Sequence, residues 1–402
     1  MNIYIITNQP FPYGMAATNR IKCYAKAIIR QDIPCKILIY HRTEVFGKKP
    51  RNTKGHGIFE GIEYNYIGRT PLRGKNKYIR AFNDYKDRIN LLLFLKRNLQ
   101  ENDIVIGYCG NEIKYINLLI KLIHLKKAKF VRELCELPFG TTKQTPRTEK
   151  LREYTLRTQF PYCDGIIAIS DTLYTLAQKH CSPQCKIIKI PILVDFKHCY
   201  LEDRSSESTV PYIFHAGTLY EQKDGVLGMF EAFGKASNNL SGPIHFISTG
   251  NPKESPQHHE ILNIINQYQI SGKLTFTGYL YREQISDYLS KASLVVINKH
   301  PNPQNLYGFS TKLGEYLAAG KPVIITNVGE AMNWLKNEES AYIIEPNDTD
   351  SLAKAIIKAF NNPEKRKMIG INGQKICKEC FDYRNYGKKL QHFFNTLTQS
   401  NT

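Results

Sequence analysis

The run Gly-Phe-Ser-Thr-Lys-Leu-Gly-Glu, residues 308 to 315, holds the residue types best placed to do chemistry. Gly308 lets backbone approach a ligand, Ser310 and Thr311 bring hydroxyl donors, and Glu315 lies one helical turn beyond Thr311 on the same face. The first N–H groups of a helix starting here have no intrahelical partners, and the macrodipole adds positive potential, which suits a diphosphate. A carboxylate one turn further can accept hydrogen bonds from both hydroxyls of a ribose. The same residues also fit a plainer role, with Ser310 as an N-cap and Glu315 as a solvated helix residue, and periodicity alone does not choose between the two.

The elements that position this run are legible around it. A buried strand, Leu-Val-Val-Ile-Asn from 294, leads into a loop punctuated by Pro301, Asn302, Pro303 and Asn305 and ending at Gly308. A helix from Ser310 or Thr311 to about Ala319 follows. Gly320 stands where a C-cap glycine belongs, Pro322 stops continuation, and a second apolar strand begins at Val323. The helix start is therefore expected at the carboxyl end of a parallel strand. Short apolar strands alternating with helices recur over the whole chain, as in 2–7, 35–40, 103–108, 129–134 and 165–169, and again in 211–215, 244–249, 273–277 and 341–344. This predicts an α/β chain of two doubly wound parallel sheets, with ligands bound outside the carboxyl ends of the strands in an interdomain cleft. The domains are placed at 1–195 and 196–381, with a linker over 191–208 and a C-terminal helix of about 382–398 returning to the first domain.

A length of 402 residues suits two domains, and an apolar fraction of 42% suffices for real cores. The first strand begins almost at Met1 with no basic and apolar leader before it, and no apolar run approaches a membrane span, so a cytoplasmic location is expected. The ten cysteines are expected to be reduced thiols. Cys377 and Cys380 lack a second pair at zinc-binding spacing, Cys181 and Cys185 lack a histidine pair, and no metal site is expected. The formal net charge of +19 is concentrated between Arg20 and Arg97. Nucleic acid, an acidic membrane surface, a polyanionic substrate and a plain solvated basic face all compete to explain it. No zinc-finger spacing, RNA-recognition aromatic motif, Walker A or complete G-x-G-x-x-G occurs, so no nucleic-acid partner is expected.

The run S-x(4)-EYLAAGKPVIIT, from Ser310 to Thr326, resembles the nucleotide-binding signature of the retaining GT-B glycosyltransferases grouped as family 4. TFTGYL at 275–280 resembles the family's base-binding stretch, and AGTLYEQKDGVLGMFEAF at 216–233 its glycine-opened loop with a phosphate-binding lysine, here Lys223. The opening IITNQPFPYGMAATNRI resembles its N-terminal glycine loop, and IIAISDTL its last N-terminal strand and helix. The resemblance implies a GT-B fold of two Rossmann-like domains facing a cleft. It implies a nucleotide-diphosphate-sugar donor (a UDP- or GDP-sugar), no further cofactor, and a glycan or lipid-linked acceptor. The donor site it implies takes in Gly14, Met15, Gly217, Thr218, Lys223, Gly278, Tyr279, Leu280, Tyr307, Gly308, Phe309, Ser310, Thr311 and Glu315, with Glu315 on the ribose. The chain departs from the pattern at three places: Tyr307 stands where the first acid of E-x(7)-E usually touches the sugar, Thr218 replaces an arginine, and Tyr108 and Cys109 occupy the region of a frequent histidine. Diphosphate neutralisation then falls to Lys223, helped by Lys312.

Transfer from such a donor passes through an oxocarbenium-like transition state, and the leaving diphosphate needs charge neutralisation more than a general acid. Lys223 and the helix start at Ser310 and Thr311 are the candidates. Glu133 and Glu136 follow a strand at its carboxyl end and are candidates to orient or deprotonate the acceptor; a structural salt bridge of Glu133 or Glu136 with Arg132 or Arg152 is the alternative. Arg20 reads as a helix-surface or structural residue. The basic, aromatic stretch Tyr78–Leu99 fits either an anionic membrane surface, placing the protein at the inner face of the cytoplasmic membrane, or a core-facing amphipathic helix. Two other functions compete: a non-hydrolysing UDP-sugar epimerase of GT-B architecture, and a basic non-catalytic protein binding glycan or nucleic acid.

Overall fold

The structure is a computed structural model that describes residues 1–108, 110, 112–140, 144–199 and 208–399. The expected linker over 191–208 falls partly on residues 200–207, and Cys109 too lies outside the described residues. The chain divides into two compact units, one built from Met1–Gly140, Gln144–Leu193 and the chain from Tyr383 onward, the other from Val194–Asp382.

Among its described residues the N-terminal unit holds eight strands: β1 (Ile3–Thr7), β2 (Cys35–Ile39), β3 (His56–Phe59), β4 (Ile62–Tyr66), β5 (Ile104–Tyr108), β6 (Lys129–Leu134), β7 (Gly165–Ala168) and β8 (Lys186–Lys189). They form one sheet in the order β3-β4-β2-β1-β5-β6-β7-β8, parallel throughout except for the β3–β4 hairpin. Its main helices are α1 (Ala16–Ile29), α2 (Lys77–Asn98), α3 (Ile113–Leu125), α4 (Pro146–Thr158) and α5 (Asp171–His180). The central strands are apolar and buried except at Tyr4 and Tyr108, as a sheet covered on both faces requires. The hairpin and β8 escaped the strand pattern because they lie at the sheet edges, where polar residues mix with apolar ones.

The C-terminal unit holds α6 (Phe196–Cys199) and six parallel strands, β9 (Tyr212–His215), β10 (His245–Ser248), β11 (Leu274–Phe276), β12 (Leu294–Ile297), β13 (Val323–Thr326) and β14 (Tyr342–Ile344). Their order is β11-β10-β9-β12-β13-β14, so strand order reverses between β9 and β12, and a crevice opens at that switch point in a doubly wound sheet. The helices are α7 (Glu221–Asp224), α8 (Val226–Asn239), α9 (His258–Gln267), α10 (Arg282–Lys291), α11 (Pro303–Tyr307), α12 (Thr311–Ala318), α13 (Thr349–Asn361) and α14 (Pro363–Ile376). One expectation is corrected here: the segment read as a loop up to Gly308 contains α11. Asn302 caps it by accepting from the Asn305 N–H, and Pro303 occupies its first turn, so the residues that looked like loop punctuation are a helix start.

After the C-terminal unit the chain forms α15 (Gly387–Thr398), which belongs to the N-terminal unit. Leu390, Phe393, Phe394 and Leu397 are buried in the same cluster as Ile3, Ile5, Tyr24 and Ile28. Each such side chain contributes about 1.5–3 kcal/mol on leaving water. No described helix is long and apolar enough to cross a membrane, and no group of three metal-ligating side chains comes together among the described residues.

The N-terminal core also contains a buried ion pair. Arg20 of α1 donates Nε–H to Glu133 of β6 at 2.6 Å, and its other nitrogens reach the Pro191 and Ile190 carbonyls at 2.6 and 3.0 Å and the Tyr24 hydroxyl at 2.5 Å. Replacing only one member leaves the other charge buried without compensation. Arg20→Met is expected to cost about 3–5 kcal/mol in the urea unfolding transition, and Arg20→Met/Glu133→Leu to recover much of it.

Candidate functional site

The switch point of the C-terminal unit gathers charged side chains around one buried carboxylate. β9 ends in His215, and the chain continues through Ala216, Gly217 and Thr218 to the short helix α7, which carries Lys223 and Asp224. Beside it β12 runs into Asn298 and Lys299. Asp224 Oδ1 accepts from Lys312 Nζ, on the first turn of α12, at 2.7 Å, and lies 3.5 Å from Lys299 Nζ. Lys299 Nζ also donates to the Lys223 carbonyl at 3.0 Å, and the Thr218 hydroxyl donates to Asp224 Oδ2 at 3.3 Å. Three segments distant in sequence therefore converge on Asp224.

Close approach of backbone makes this possible. A Cβ at Gly217 would overlap Lys312 Nζ and come within 2.8 Å of the His215 ring, so only glycine fits there. The loop is pinned by Thr249, whose hydroxyl lies 2.8 Å from the Gly217 nitrogen and 2.9 Å from its oxygen. The Ala216 N–H donates to the Tyr316 hydroxyl of α12 at 2.8 Å, which ties that helix to the end of β9. On the other side, Asn298 Nδ2 donates to the Gly225 carbonyl at 2.8 Å, Asn302 Nδ2 to the Gln222 carbonyl at 2.6 Å, and His300 Nε2 lies 2.8 Å from Glu221. The segment after β12 thus clasps α7 and fixes where Lys223 and Asp224 stand.

The electrostatics follow from this packing. Burial alone would raise the Asp224 pKa, but Lys312 and Lys299 outweigh it and hold the carboxylate well below its ordinary range. Burial lowers Lys299 from 10.5 to about 8, with Asp224 opposing and Lys312 and Lys223 adding to the shift. His215 is pushed down to about 3 by burial first and by Lys312 next, so it is a neutral imidazole, with Nδ1 3.0 Å from the Ser248 hydroxyl. The arrangement is a cationic site whose lysines are held by a carboxylate behind them, beside the start of a helix. Such an arrangement has the chemistry to receive an anion with several oxygens.

Most of the residues singled out from sequence belong to this unit. Gly217 and Thr218 follow β9. Lys223 is exposed on α7. Tyr307 ends α11, and Gly308 and Phe309 lead into α12, with Phe309 packed edge-on to Phe381 at 5.6 Å. Ser310 is the N-cap of α12 but makes no side-chain cap hydrogen bond, Thr311 opens the helix, and Glu315 lies half-buried one turn on. Gly278, Tyr279 and Leu280 follow β11. They connect to the switch point through backbone bonds between Gly278 and Gly250, at 3.0 and 3.2 Å, beside the Gly217–Leu219 turn. The other candidates lie in the N-terminal unit. Met15 is the exposed N-cap of α1, and Gly14 precedes it where a Cβ would overlap the Thr18 hydroxyl. Glu136 is exposed in the turn after β6, whereas Glu133 is buried on Arg20. Its salt-bridge partner is neither Arg132 nor Arg152, which bind Gln159 and Gln144 at 2.5 and 2.7 Å. Sequence reading missed His215, Asp224 and Lys299. For His215 and Lys299 the signal available was position, at or just past the carboxyl end of a strand flanking the reversal; Asp224, at the end of α7, carries no such signal.

Residues 201–376 match the family described as Glycosyl transferases group 1. The site just described lies inside that match. A curated relative, the capsular polysaccharide biosynthesis glycosyltransferase CapM of Staphylococcus aureus, is 28% identical over 229 residues, which are 48% of this chain and 60% of that protein. Among solved structures, sucrose-phosphate synthase from Thermosynechococcus elongatus aligns with a TM-score of 0.73 over 99% of both chains at 14% identity. The Anabaena protein Alr3699/HepE, solved in complex with UDP-glucose, aligns with a TM-score of 0.69 over 98% of this chain and 99% of its own, at 14% identity. The fold is that of the GT-B glycosyltransferases, two Rossmann-like units.

The buried His215 gives the site a signature in acid. Its folded pKa of about 3 lies below the ordinary 6.5, so between those values the unfolded chain takes up a proton that the folded chain refuses. Its contribution to stability is complete above pH 6.5 and is lost as pH falls toward 3. In thermal melts, His215→Asn should lose less stability than the natural protein between pH 6.5 and 4.

Proposed function

We propose that this chain is a glycosyltransferase. In this reading it moves a sugar from a nucleoside-diphosphate-sugar to a hydroxyl of a glycan or lipid-linked acceptor, with retention, in the assembly of a capsular or other surface polysaccharide. The observation that carries the reading is the convergence of Lys312, Lys299 and the start of α12 on one point at the β9–β12 reversal, inside the stretch that matches the glycosyltransferase family. CapM's role in capsular polysaccharide biosynthesis supports the pathway class, and UDP-glucose bound to the Anabaena protein supports a nucleotide-sugar donor, which we take to be a UDP- or GDP-sugar.

The chemistry then follows from the residues. The bond between the anomeric carbon and the diphosphate oxygen breaks as the acceptor oxygen bonds to that carbon and gives up its proton. Charge grows on the departing diphosphate, where the α12 N–H groups of Thr311 and Lys312, with Lys223 at the rim, neutralise it. Asp224 keeps the lysines aimed before the donor arrives, which lowers reorganisation during the reaction. Glu315, one turn along α12, takes the ribose hydroxyls, and Gly278–Leu280 frames the base. Tyr307, Gly308 and Phe309 lie toward the sugar, and Tyr307 offers it a phenol in place of a carboxylate. The N-terminal unit receives the acceptor. Gly14 and Met15 serve the donor phosphate or sugar by close backbone approach, and Glu136, exposed after β6, is better placed than the arginine-bound Glu133 to orient a hydroxyl of the acceptor. A lipid-linked acceptor would hold the enzyme at the inner face of a membrane.

A thermal-shift panel of UDP, GDP, ADP, CMP and their sugars tests the donor site. Stabilisation by UDP or GDP and a sugar derivative is expected, and stabilisation by none of them would overturn the reading. Glu315→Ala and Lys223→Ala should each weaken the nucleotide that binds by roughly tenfold or more, the scale of a lost charge-assisted hydrogen bond. Unchanged binding in both would mean that the residues are wrongly assigned. Incubation of the donor alone separates transfer from epimerisation: an isomerised donor without acceptor would rule out the transferase reading.

A further inference from the structure

Helix α2 carries a row of large apolar residues on its exposed side and two aspartates on its inward side. Tyr78, Phe82, Tyr85, Ile89 and Leu93 recur at intervals of four, three, four and four residues, so they share one face, and all five are exposed: 74, 65, 66, 38 and 43%. The row runs for about 22 Å along the helix at 1.5 Å per residue. The inward face is held by other means. Leu91 and Leu95 are buried, Asp87 pairs with Arg42 at 2.9 Å, and Asp84 lies 3.2 Å from His41 Nδ1.

Those two aspartates are the only acids in the helix, and both face inward. Lys86, Lys96 and Arg97 are exposed on or beside the aromatic row. At the start of the helix the segment after β2 adds exposed Phe46, Lys48 and Lys49, and the segment after β4 adds exposed Leu72 and Lys75. An isolated bridge between Glu44 and Leu72 joins these two segments, and Arg42 ties the first of them to α2. The outward surface is therefore aromatic and aliphatic along its ridge and cationic at its margins, with no carboxylate from the helix.

We propose that this face of α2 docks on an anionic lipid bilayer, with Tyr78, Phe82, Tyr85 and Ile89 entering the interfacial region and the lysines and arginine meeting lipid phosphates. Charge complementarity selects the partner: the cations call for an anionic surface, and the apolar row calls for one that accepts rings and aliphatic chains below its charged layer. A nucleic acid offers phosphates but no such layer along a convex helix. The inference is independent of the nucleotide site, because vesicle binding and nucleotide binding can each fail alone.

Sedimentation of the full chain with vesicles tests it. At low salt the protein should pellet with phosphatidylcholine vesicles containing about one third phosphatidylglycerol, and stay in solution with phosphatidylcholine alone. Phe82→Ser/Tyr85→Ser/Ile89→Ser and Lys86→Glu/Lys96→Glu/Arg97→Glu should each reduce the pelleted fraction at least tenfold while UDP or GDP still raises the melting temperature as it does for the natural protein. Absence of binding to anionic vesicles, or binding that both variants retain, overturns the proposal. A dimer in light scattering that the serine variant converts to monomer would assign the face to a second copy. Retention of an RNA oligonucleotide that the glutamate variant alone abolishes would assign it to nucleic acid. Either result also overturns it.

Discussion

A carboxylate shut away from water must be paired, and at the β9–β12 reversal that requirement organises everything nearby. Asp224 keeps its charge because Lys312 and Lys299 come to it from α12 and from the end of β12. Each contact constrains a different segment. Gly217 must lack a side chain so that Lys312 can pass, Tyr316 must reach the Ala216 N–H, and Asn298 and Asn302 must hold α7 in place. The cations are thus positioned by the protein's own anion before any ligand is present. A polar site fixed in this way needs little rearrangement when a new charge is brought beside it.

The two buried charge systems do different work. In the N-terminal unit, Arg20 spends its donors on Glu133, Tyr24 and two backbone carbonyls, and all of it is enclosed. It joins α1, β6 and the chain at 190–191 and is a structural fastening. In the C-terminal unit the lysines are mostly covered but keep 21% of the Lys312 side chain and 14% of the Lys299 side chain exposed, against 2% for Arg20. Exposure of the partner cation, more than the presence of an ion pair, separates the site from the fastening.

How much of this could be read from the residues depends on the range of the interaction. The run from Gly308 to Gly320 was legible because its signals are local: a glycine, hydroxyls at a helix start, a carboxylate one turn on and a C-cap glycine. Buried parallel strands were legible because burial on both faces leaves a continuous apolar run. The β3–β4 hairpin and α11 were not, since edge residues mix polarity and an Asn-Pro pair serves loops and helix starts equally. Asp224 and Lys299 were out of reach for a different reason. Their meaning lies in a contact between residues far apart in sequence, and no spacing rule reports which strand ends become neighbours. Glu133 shows the converse. Its place after a strand suggested a site, and only the fold reveals that Arg20 occupies it.

The return of α15 to the first unit has a consequence for how the molecule is made. The cluster around Ile3, Tyr24 and Ile28 needs Leu390, Phe393 and Phe394, which the ribosome supplies only after the whole of Val194–Asp382 has been translated. The core of the later unit is drawn from Val194–Asp382 alone and can close first, while the earlier one waits with apolar surface uncovered. The core of the unit that emerges first therefore cannot be complete until the last helix has been made.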